Sequence, residues 1–485
     1  MQQKYHSQRG LPQTKESAPT MAQVIRSGPE DQDFDLSVPV VIVGAGGCGL
    51  TAALAACDEG VDVLVLERDP RVSGTTAMST GLIPASGTPE QARLGIDDSP
   101  ERFCDDIMKK TKGQTDRDIA LHLARESIET VQWLRDVHGV PLTLLDDFLY
   151  PGHSAMRMYG SPNRTGSELM AALEAACVSA GADILTNALV EGLIVGADDR
   201  VLGVEYVRPD GLRERLGCDA LILACCGFGG NWDMVIEYIP ELKDAVFHGH
   251  PGNKGDAMAW GRALGAGLAD MHAYQGHGGL ADGHAIPILW PFIMEGGFQV
   301  NTDGMRFSDE SQGYSEQAVK VLAQPGHVAW SILDQRLHDL MMRFDDFQQA
   351  EAAGAVVRGD DVTELAGRIG VSRTALEATF AEVDAAKADA APDPFGRDFG
   401  GKPPLAAPFY AAKVTGALFH TQGGLVVDRN ARVLRADGRP FPNLFAGGGA
   451  ARGISGAGAD GYLAGNGLLT ATTFGKLAGR AATQV

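Results

Sequence analysis

The residues best spaced for chemistry are Gly44, Gly46 and Gly49, in the run Gly44-Ala45-Gly46-Gly47-Cys48-Gly49 between an apolar stretch and an alanine-rich one. Glycines at this spacing let a backbone turn tightly and approach a diphosphate, while the N–H groups and partial positive charge of a helix start favour the anion. Glu67, followed by Arg68, closes the next apolar stretch, where a carboxylate can accept a ribose hydroxyl. A dinucleotide site is therefore expected. Ser73-Gly74-Thr75-Thr76, with Ser79 and Gly81, offers a second loop rich in hydroxyls, and Phe445-Ala446-Gly447-Gly448-Gly449 offers a return near the C-terminus. Separated segments suit a long, buried cofactor, so FAD is expected over NAD. The expected cradle is Gly44, Gly46, Gly49, Glu67, Arg68, Ser73, Gly74, Thr75, Thr76, Gly81, Gly448 and Leu468.

The elements that must hold this cradle are legible around it. Residues 38–43 read as a buried strand, the glycine turn opens a helix, and 61–66 read as a second strand, which is a βαβ opening. Further strands are expected at 182–186, 193–195, 201–208 and 220–224, with helices at 118–138 and 166–180 between them. After about Gly255 the composition turns to Gly, His, Met and aromatic loops, then to helical stretches at 315–323 and 362–386. Residues 391–404, rich in Pro, Gly and Asp, read as a linker. Strands then return, ending in a glycine-rich turn and a helix over 465–480. The expected fold is α/β. A Rossmann-like FAD-binding domain in two parts, 38–270 and 405–485, is interrupted by a second, α+β domain at 271–404, after a disordered extension at 1–37.

Bulk properties narrow the partners. At 485 residues, with 44% hydrophobic content, the chain is too long for one ordinary domain. A formal charge of -21 opposes binding to nucleic acid or an anionic membrane surface. The expected partners are a small-molecule substrate and an electron acceptor that no short motif identifies. No apolar run long enough for a membrane span is present. Seven cysteines without C-x-x-C or zinc spacing fit a reducing, cytoplasmic setting and no metal or haem.

Beyond these local signals, an ordered series of segments carries a family likeness: the Gly44 turn, Ser73 to Thr76, Ala224 to Gly229 before Asn231, Gly255-Asp256 with Gly265-Ala266, and Gln275-Gly276-His277. It continues through Asn301 to Glu310, Asp393 to Arg397, Thr421-Gln422-Gly423-Gly424-Leu425 and Tyr462 to Gly467. From residue 38 to 479 the chain resembles the fumarate reductase and succinate dehydrogenase flavoprotein superfamily, in its soluble branch with 3-ketosteroid dehydrogenases and related cyclic-ketone desaturases. The resemblance implies an active site between the FAD and capping domains. Members with covalent FAD carry a histidine after the second glycine loop. None lies between Ser73 and Ala85, so the flavin is expected to be noncovalent.

Two positions depart from the fumarate reductase pattern. His277 and His420 match its two substrate histidines, but Tyr314 stands where the proton-transfer arginine is expected and Tyr462 where the carboxylate-binding arginine is expected. A phenol offers one neutral hydrogen bond where a guanidinium offers five charged donors, which suits a carbonyl better than a dicarboxylate. Ketosteroid dehydrogenases resemble this arrangement. By that likeness Tyr462 binds the ketone oxygen, helped by the backbone N–H of Gly465 or Asn466, and Tyr314 takes the α-proton while hydride passes from the β-carbon to flavin N5. Tyr150 and Tyr159 are candidate partners for activating Tyr314, and Arg306 reads as a domain-bridging or relay residue. His277, His420, Gly465 and Asn466 are the expected substrate contacts.

The resulting expectation is α,β-desaturation of a 3-ketosteroid or a smaller cyclic ketone, with or without a carboxylate, since His420 keeps the fumarate reductase pattern. The competing readings are an enoate reductase resembling fumarate or urocanate reductase, and a flavin-binding protein without catalysis.

Overall fold

The computed structural model describes residues 22–27 and 34–485. Within the segment expected to be a disordered extension, 1–21 and 28–33 lie outside the described residues. Strand β1 (Gln23–Arg26) corrects that reading: its Val24 and Ile25 pair in parallel with Leu193 and Ile194 of strand Leu189–Val195. β-branched residues favour such a pairing. Ser37 already belongs to β2 (Ser37–Val43).

The described chain divides into two compact units. The larger holds the described residues up to Ile239, then Gly249–Gln275 and His420–Val485. Its main sheet has nine strands among the described residues. β2 pairs in parallel with β3 (Val63–Leu66) on one side and strand Arg213–Leu223 on the other. Strand Pro440–Ala446 joins Arg213–Leu223, again in parallel, so the C-terminal return adds directly to the first sheet. Val40, Val41, Ile42 and Val43 are all buried, as expected of a parallel strand covered on both faces.

Helix α1 (Gly47–Asp58) follows β2 and packs against the final helix, Asn466–Ala482, at very short range. A Cβ on Gly475 would lie 2.5 Å from the Cys48 carbonyl oxygen, and one on Gly479 only 2.2 Å from that of Ala52. Two glycines four residues apart let these backbones touch, which ties the start of the nucleotide turn to the last element of the chain.

The second unit comprises Pro240–His248 and Gly276–Phe419. Most of strand Phe409–Thr421 lies in it, paired antiparallel with Val328–Asp334 and Val356–Gly359 and parallel with Val246–Phe247. The expected division therefore shifts: strand pairing at 409–415, 417–418 and 246–247 carries 405–419 and 240–248 out of the FAD-binding part, while 271–275 join the larger unit. Phe292, Phe298, Ile332, Leu333, Phe347 and Leu376 centre its core.

The supposed linker is also corrected. Asp393 pairs with Arg306, Arg397 pairs with Glu310 at 2.9 Å, and the side chains are almost wholly buried, so residues 391–404 are anchored by charge. The helical stretch 362–386 is two helices, Val362–Ile369 and Arg373–Lys387, because Gly370 takes a left-handed φ of 72° and ends the first. No helix among the described residues is long and apolar enough to cross a membrane.

Candidate functional site

In the larger unit the glycine turn has the shape its spacing demands. Gly44 has a φ of +103°, and a Cβ there would lie 2.7 Å from the Ala224 carbonyl oxygen. A Cβ on Gly49 would lie 1.9 Å from the Gly44 oxygen, whereas one on Gly46 would meet nothing within 4 Å. Gly46 caps α1 without a side-chain bond, and the first turn contains no acidic residue. An open backbone face at an uncapped helix start fits a diphosphate. Glu67 is buried, accepting the Ala45 N–H and the Asp69 N–H at 2.9 Å each, which fixes its carboxylate beside the turn. These features fit FAD.

The remaining cradle residues divide by what they touch. Thr76 accepts the Gly47 N–H at 3.2 Å and so braces the turn. Thr75 accepts from the His250 N–H at 3.2 Å and from Asn253 Nδ2 at 2.8 Å, and Arg68 donates to the Gly252 carbonyl at 2.9 Å. Thr75 and Arg68 thus secure a 250–253 loop that the sequence did not bring into the cradle. Ser73 caps the short helix Gly74–Ala77 without a side-chain bond. Gly74, Gly81 and Gly448 all take left-handed φ values, and Leu468 is half-buried in the first turn of the final helix.

At the start of that helix stand Tyr462, Gly465 and Asn466, with His420 beside them. The rings of His420 and Tyr462 meet edge to face at 5.5 Å. Tyr462 is buried, which drives its phenol well above the ordinary value, while the backbone N–H groups of Gly467 and Gly465 bond its oxygen and act in the opposite direction. Such a phenol is polarised to donate its own proton. Gly465, with a φ of 83°, leaves the helix without a side-chain cap. The Asn466 N–H is taken up by the Leu463 carbonyl at 3.1 Å and the Gly465 N–H by the Tyr462 oxygen, so the tight turn spends both expected backbone donors on itself.

His420 accepts a bond at Nδ1 from Gln422 Nε2 at 3.0 Å, and burial lowers its pKa to about 4. Gln422 Oε1 in turn accepts from Ser455 Oγ at 2.7 Å. Neither residue was singled out in the sequence, although Gln422 lies within a quoted segment, two residues from His420. Tyr159 is fully buried and bonds Thr88 Oγ1 at 2.7 Å and Glu90 Oε2 at 3.1 Å. Its hydroxyl is held within that pair. Tyr150 packs edge to face on Phe148 at 4.9 Å, and burial raises its phenol.

The second unit brings His277 and Tyr314 together. Tyr314 is the first residue of helix Tyr314–Leu322, released by Gly313, whose φ of 150° is glycine's. His277 lies between Tyr314 at 5.2 Å and Phe419 at 4.9 Å, both stacked, with Trp290 edge-on at 5.7 Å. It accepts the Gly279 N–H at Nδ1, 3.1 Å away, so its proton sits on Nε2. Burial, with His248 adding to it, lowers its pKa to about 3. Both matched histidines are therefore neutral near pH 7.

Arg306 differs from the expectation of a bridge between domains or a relay. It bonds Glu310 at 3.1 and 3.0 Å and also Asp393, all within this one unit, and its role there is to hold two loops together.

Comparison with known proteins follows from this geometry. The family described as FAD binding domain matches residues 39–468. The probable fumarate reductase Ifc3 of Shewanella frigidimarina (strain NCIMB 400) is 29% identical over 458 residues, spanning 94% of this chain and 75% of that protein. The solved open conformation of a flavocytochrome c3 fumarate reductase covers 93% of this chain and 79% of its own, with a TM-score of 0.79 and 28% identity. The 3-ketosteroid-Δ4-(5α)-dehydrogenase from Rhodococcus jostii RHA1, solved with 4-androstene-3,17-dione, covers 95% of this chain and 99% of its own. Its TM-score of 0.74 at 24% identity is a likeness of fold.

Proposed function

This chain belongs to the FAD binding domain family and is an FAD-dependent oxidoreductase acting on carbon–carbon bonds, and we propose that it desaturates a cyclic ketone beside the carbonyl. FAD, when bound, supplies the two-electron acceptor for the hydride that leaves the β-carbon. Tyr462 donates its hydroxyl hydrogen bond to the ketone oxygen and so acidifies the α-carbon. Tyr314, acting as the phenolate, takes the α-proton and becomes the neutral phenol. His277 and His420, both neutral, orient further acceptor atoms of the substrate. The flavin is held without a covalent link, and acid precipitation should leave all of it in the supernatant.

One observation carries this reading: Tyr462 stands buried at an uncapped helix start, its oxygen bonded by the Gly465 and Gly467 amides, where the resemblance expects an arginine. A neutral donor in that position suits a carbonyl. A 3-ketosteroid and a smaller ring ketone, with or without a carboxylate, share the chemistry.

A second reading, reduction of an activated alkene acid, is favoured by the two histidines that match the fumarate reductase pattern and by the 29% identity to a probable fumarate reductase. Anaerobic titration separates the two. The oxidised holoenzyme should lose its yellow absorbance on adding saturated cyclic ketones, and Tyr462→Phe should abolish this while retaining FAD. Inert ketones, together with reoxidation of chemically reduced enzyme by fumarate or urocanate, would establish the second reading in place of the first.

A further inference from the structure

His420 is held by a chain of hydrogen bonds. Asn466 Nδ2 reaches Ser455 Oγ at 3.5 Å, Ser455 Oγ donates to Gln422 Oε1 at 2.7 Å, and Gln422 Nε2 donates to His420 Nδ1 at 3.0 Å. With the amide in this orientation the serine proton points to its oxygen and its nitrogen faces the ring at 3.0 Å, a shorter contact for Nδ1 than the Thr421 carbonyl oxygen at 3.5 Å. A ring nitrogen that accepts cannot carry the proton, so the proton lies on Nε2.

The far side of the ring faces the reacting region proposed above. A Cβ on Gly467 would sit 2.8 Å from both His420 Cε1 and Nε2 and 3.6 Å from Tyr462 Oη. Gly453 leaves room for the amide, since a Cβ there would lie 2.8 Å from Gln422 Oε1. Gln422 and Ser455 are buried, and Asn466 is fully so, which shields the chain from competing water.

We propose that Gln422 is a positioning residue that fixes His420 as a neutral Nε2–H donor, and that the substrate carries a second oxygen, apart from the ketone, which accepts this bond. The ketone part rests on the function proposed above. The tautomer part does not. Burial that holds His420 near a pKa of about 4 keeps the ring neutral across the working range. Glutamine suits the task because one neutral side chain both accepts from the serine and donates to the imidazole.

The test reads the tautomer directly on the holoenzyme, by long-range proton–nitrogen correlation of nitrogen-labelled histidine, with His420→Gln identifying the signal. Wild type should show the Nε2–H pattern. Gln422→Glu presents acceptors only and should move the proton to Nδ1, while Gln422→Met, similar in volume, should leave a mixture. Ser455→Ala gives a milder form of the same change. With whichever ketone or alkene acid exchanges electrons with the flavin, KM should rise at least tenfold in Gln422→Glu with a smaller change in kcat. Retention of the Nε2–H pattern in both Gln422 variants overturns the positioning role. Equal KM for substrates with and without the second oxygen overturns the substrate assignment. A protein inert to every ketone but showing the tautomer switch refutes only the desaturase reading.

Discussion

His153 donates its Nε2 proton to the carbonyl oxygen of Ala464, 2.9 Å away and two residues beyond Tyr462. Its other nitrogen accepts from Arg157 Nη1 at 3.0 Å, and that guanidinium is clamped by Asp106 at 2.6 Å and Asp98 at 2.8 Å. The turn that carries the proposed ketone ligand is thus pinned to a fully buried arginine.

Removing this pin should loosen the turn before it harms the fold. His153→Ala leaves a buried guanidinium N–H and a carbonyl without partners, a loss of about 2 to 4 kcal/mol in denaturant unfolding. His153→Gln can still donate to Ala464 and accept from Arg157, so it should recover at least half of that loss and most of the turnover. Equal damage from both variants would show that ring packing, and not the two bonds, holds the turn.

Acid should destabilise the protein earlier than its carboxylates alone would cause. Burial depresses the pKa of His153 and His277 to about 3 and of His420 to about 4. The unfolded chain, with histidines near their ordinary value of about 6.5, binds more protons than the folded one below that pH. Stability from these groups is complete above about pH 6.5 and falls as pH drops towards their folded values, by up to about 1.4 kcal/mol per histidine per pH unit. Urea midpoints measured from pH 7.5 to 5 should decline across this window. Substituting Gln for any one of the three should flatten the decline.

Legibility followed the distance over which each interaction acts. The Gly44 turn was readable because its requirement is local: a left-handed φ at Gly44 and no room for a Cβ at Gly49 are conditions on single residues. The unit boundary was not, because residues 409–419 look like any strand until their partners, Val328–Asp334 and Val356–Gly359, are known. Asp393 and Arg397 read as a linker for the same reason, their composition saying nothing of Arg306 and Glu310. Gln422 lay two residues from His420, where a strand end can bring side chains to one side, and that spacing was the available signal. His153 had none, because its bond to Ala464 closes a gap of 311 residues.

Helix contact at the nucleotide turn gives a prediction with opposite signs at two glycines. Gly479→Ala would drive a Cβ to 2.2 Å from the Ala52 oxygen, so α1 and the final helix must separate. We expect a loss of about 1 to 3 kcal/mol and faster release of FAD, since α1 begins at the glycine turn. Gly367→Ala, inside helix Val362–Ile369 with nothing within 4 Å of the new atom, should stabilise by about 0.5 to 1 kcal/mol. Thermal melts and flavin fluorescence on dilution read both effects.

Charge pairs in the smaller unit should differ in worth by burial, not by number. Glu310 accepts from Arg306 at 3.1 and 3.0 Å, from Arg397 at 2.9 Å and from the Gln299 N–H at 3.1 Å, and its side chain is 1% exposed. Removing that carboxylate leaves Arg397 without its ionic partner and Arg306 with Asp393 alone, and neither buried guanidinium can discharge itself. Glu310→Ala should cost about 3 to 5 kcal/mol. The pair of Glu364 with Arg368 has similar geometry at 2.6 Å, but those side chains are 38% and 55% exposed. Water and salt already screen them, so Glu364→Ala should cost far less than Glu310→Ala. Denaturant unfolding of both variants at low and high salt decides the matter. Raising salt should shrink the Glu364 effect and leave the Glu310 effect nearly unchanged, and equal salt sensitivity at the two sites would mean that Glu310 is solvated after all.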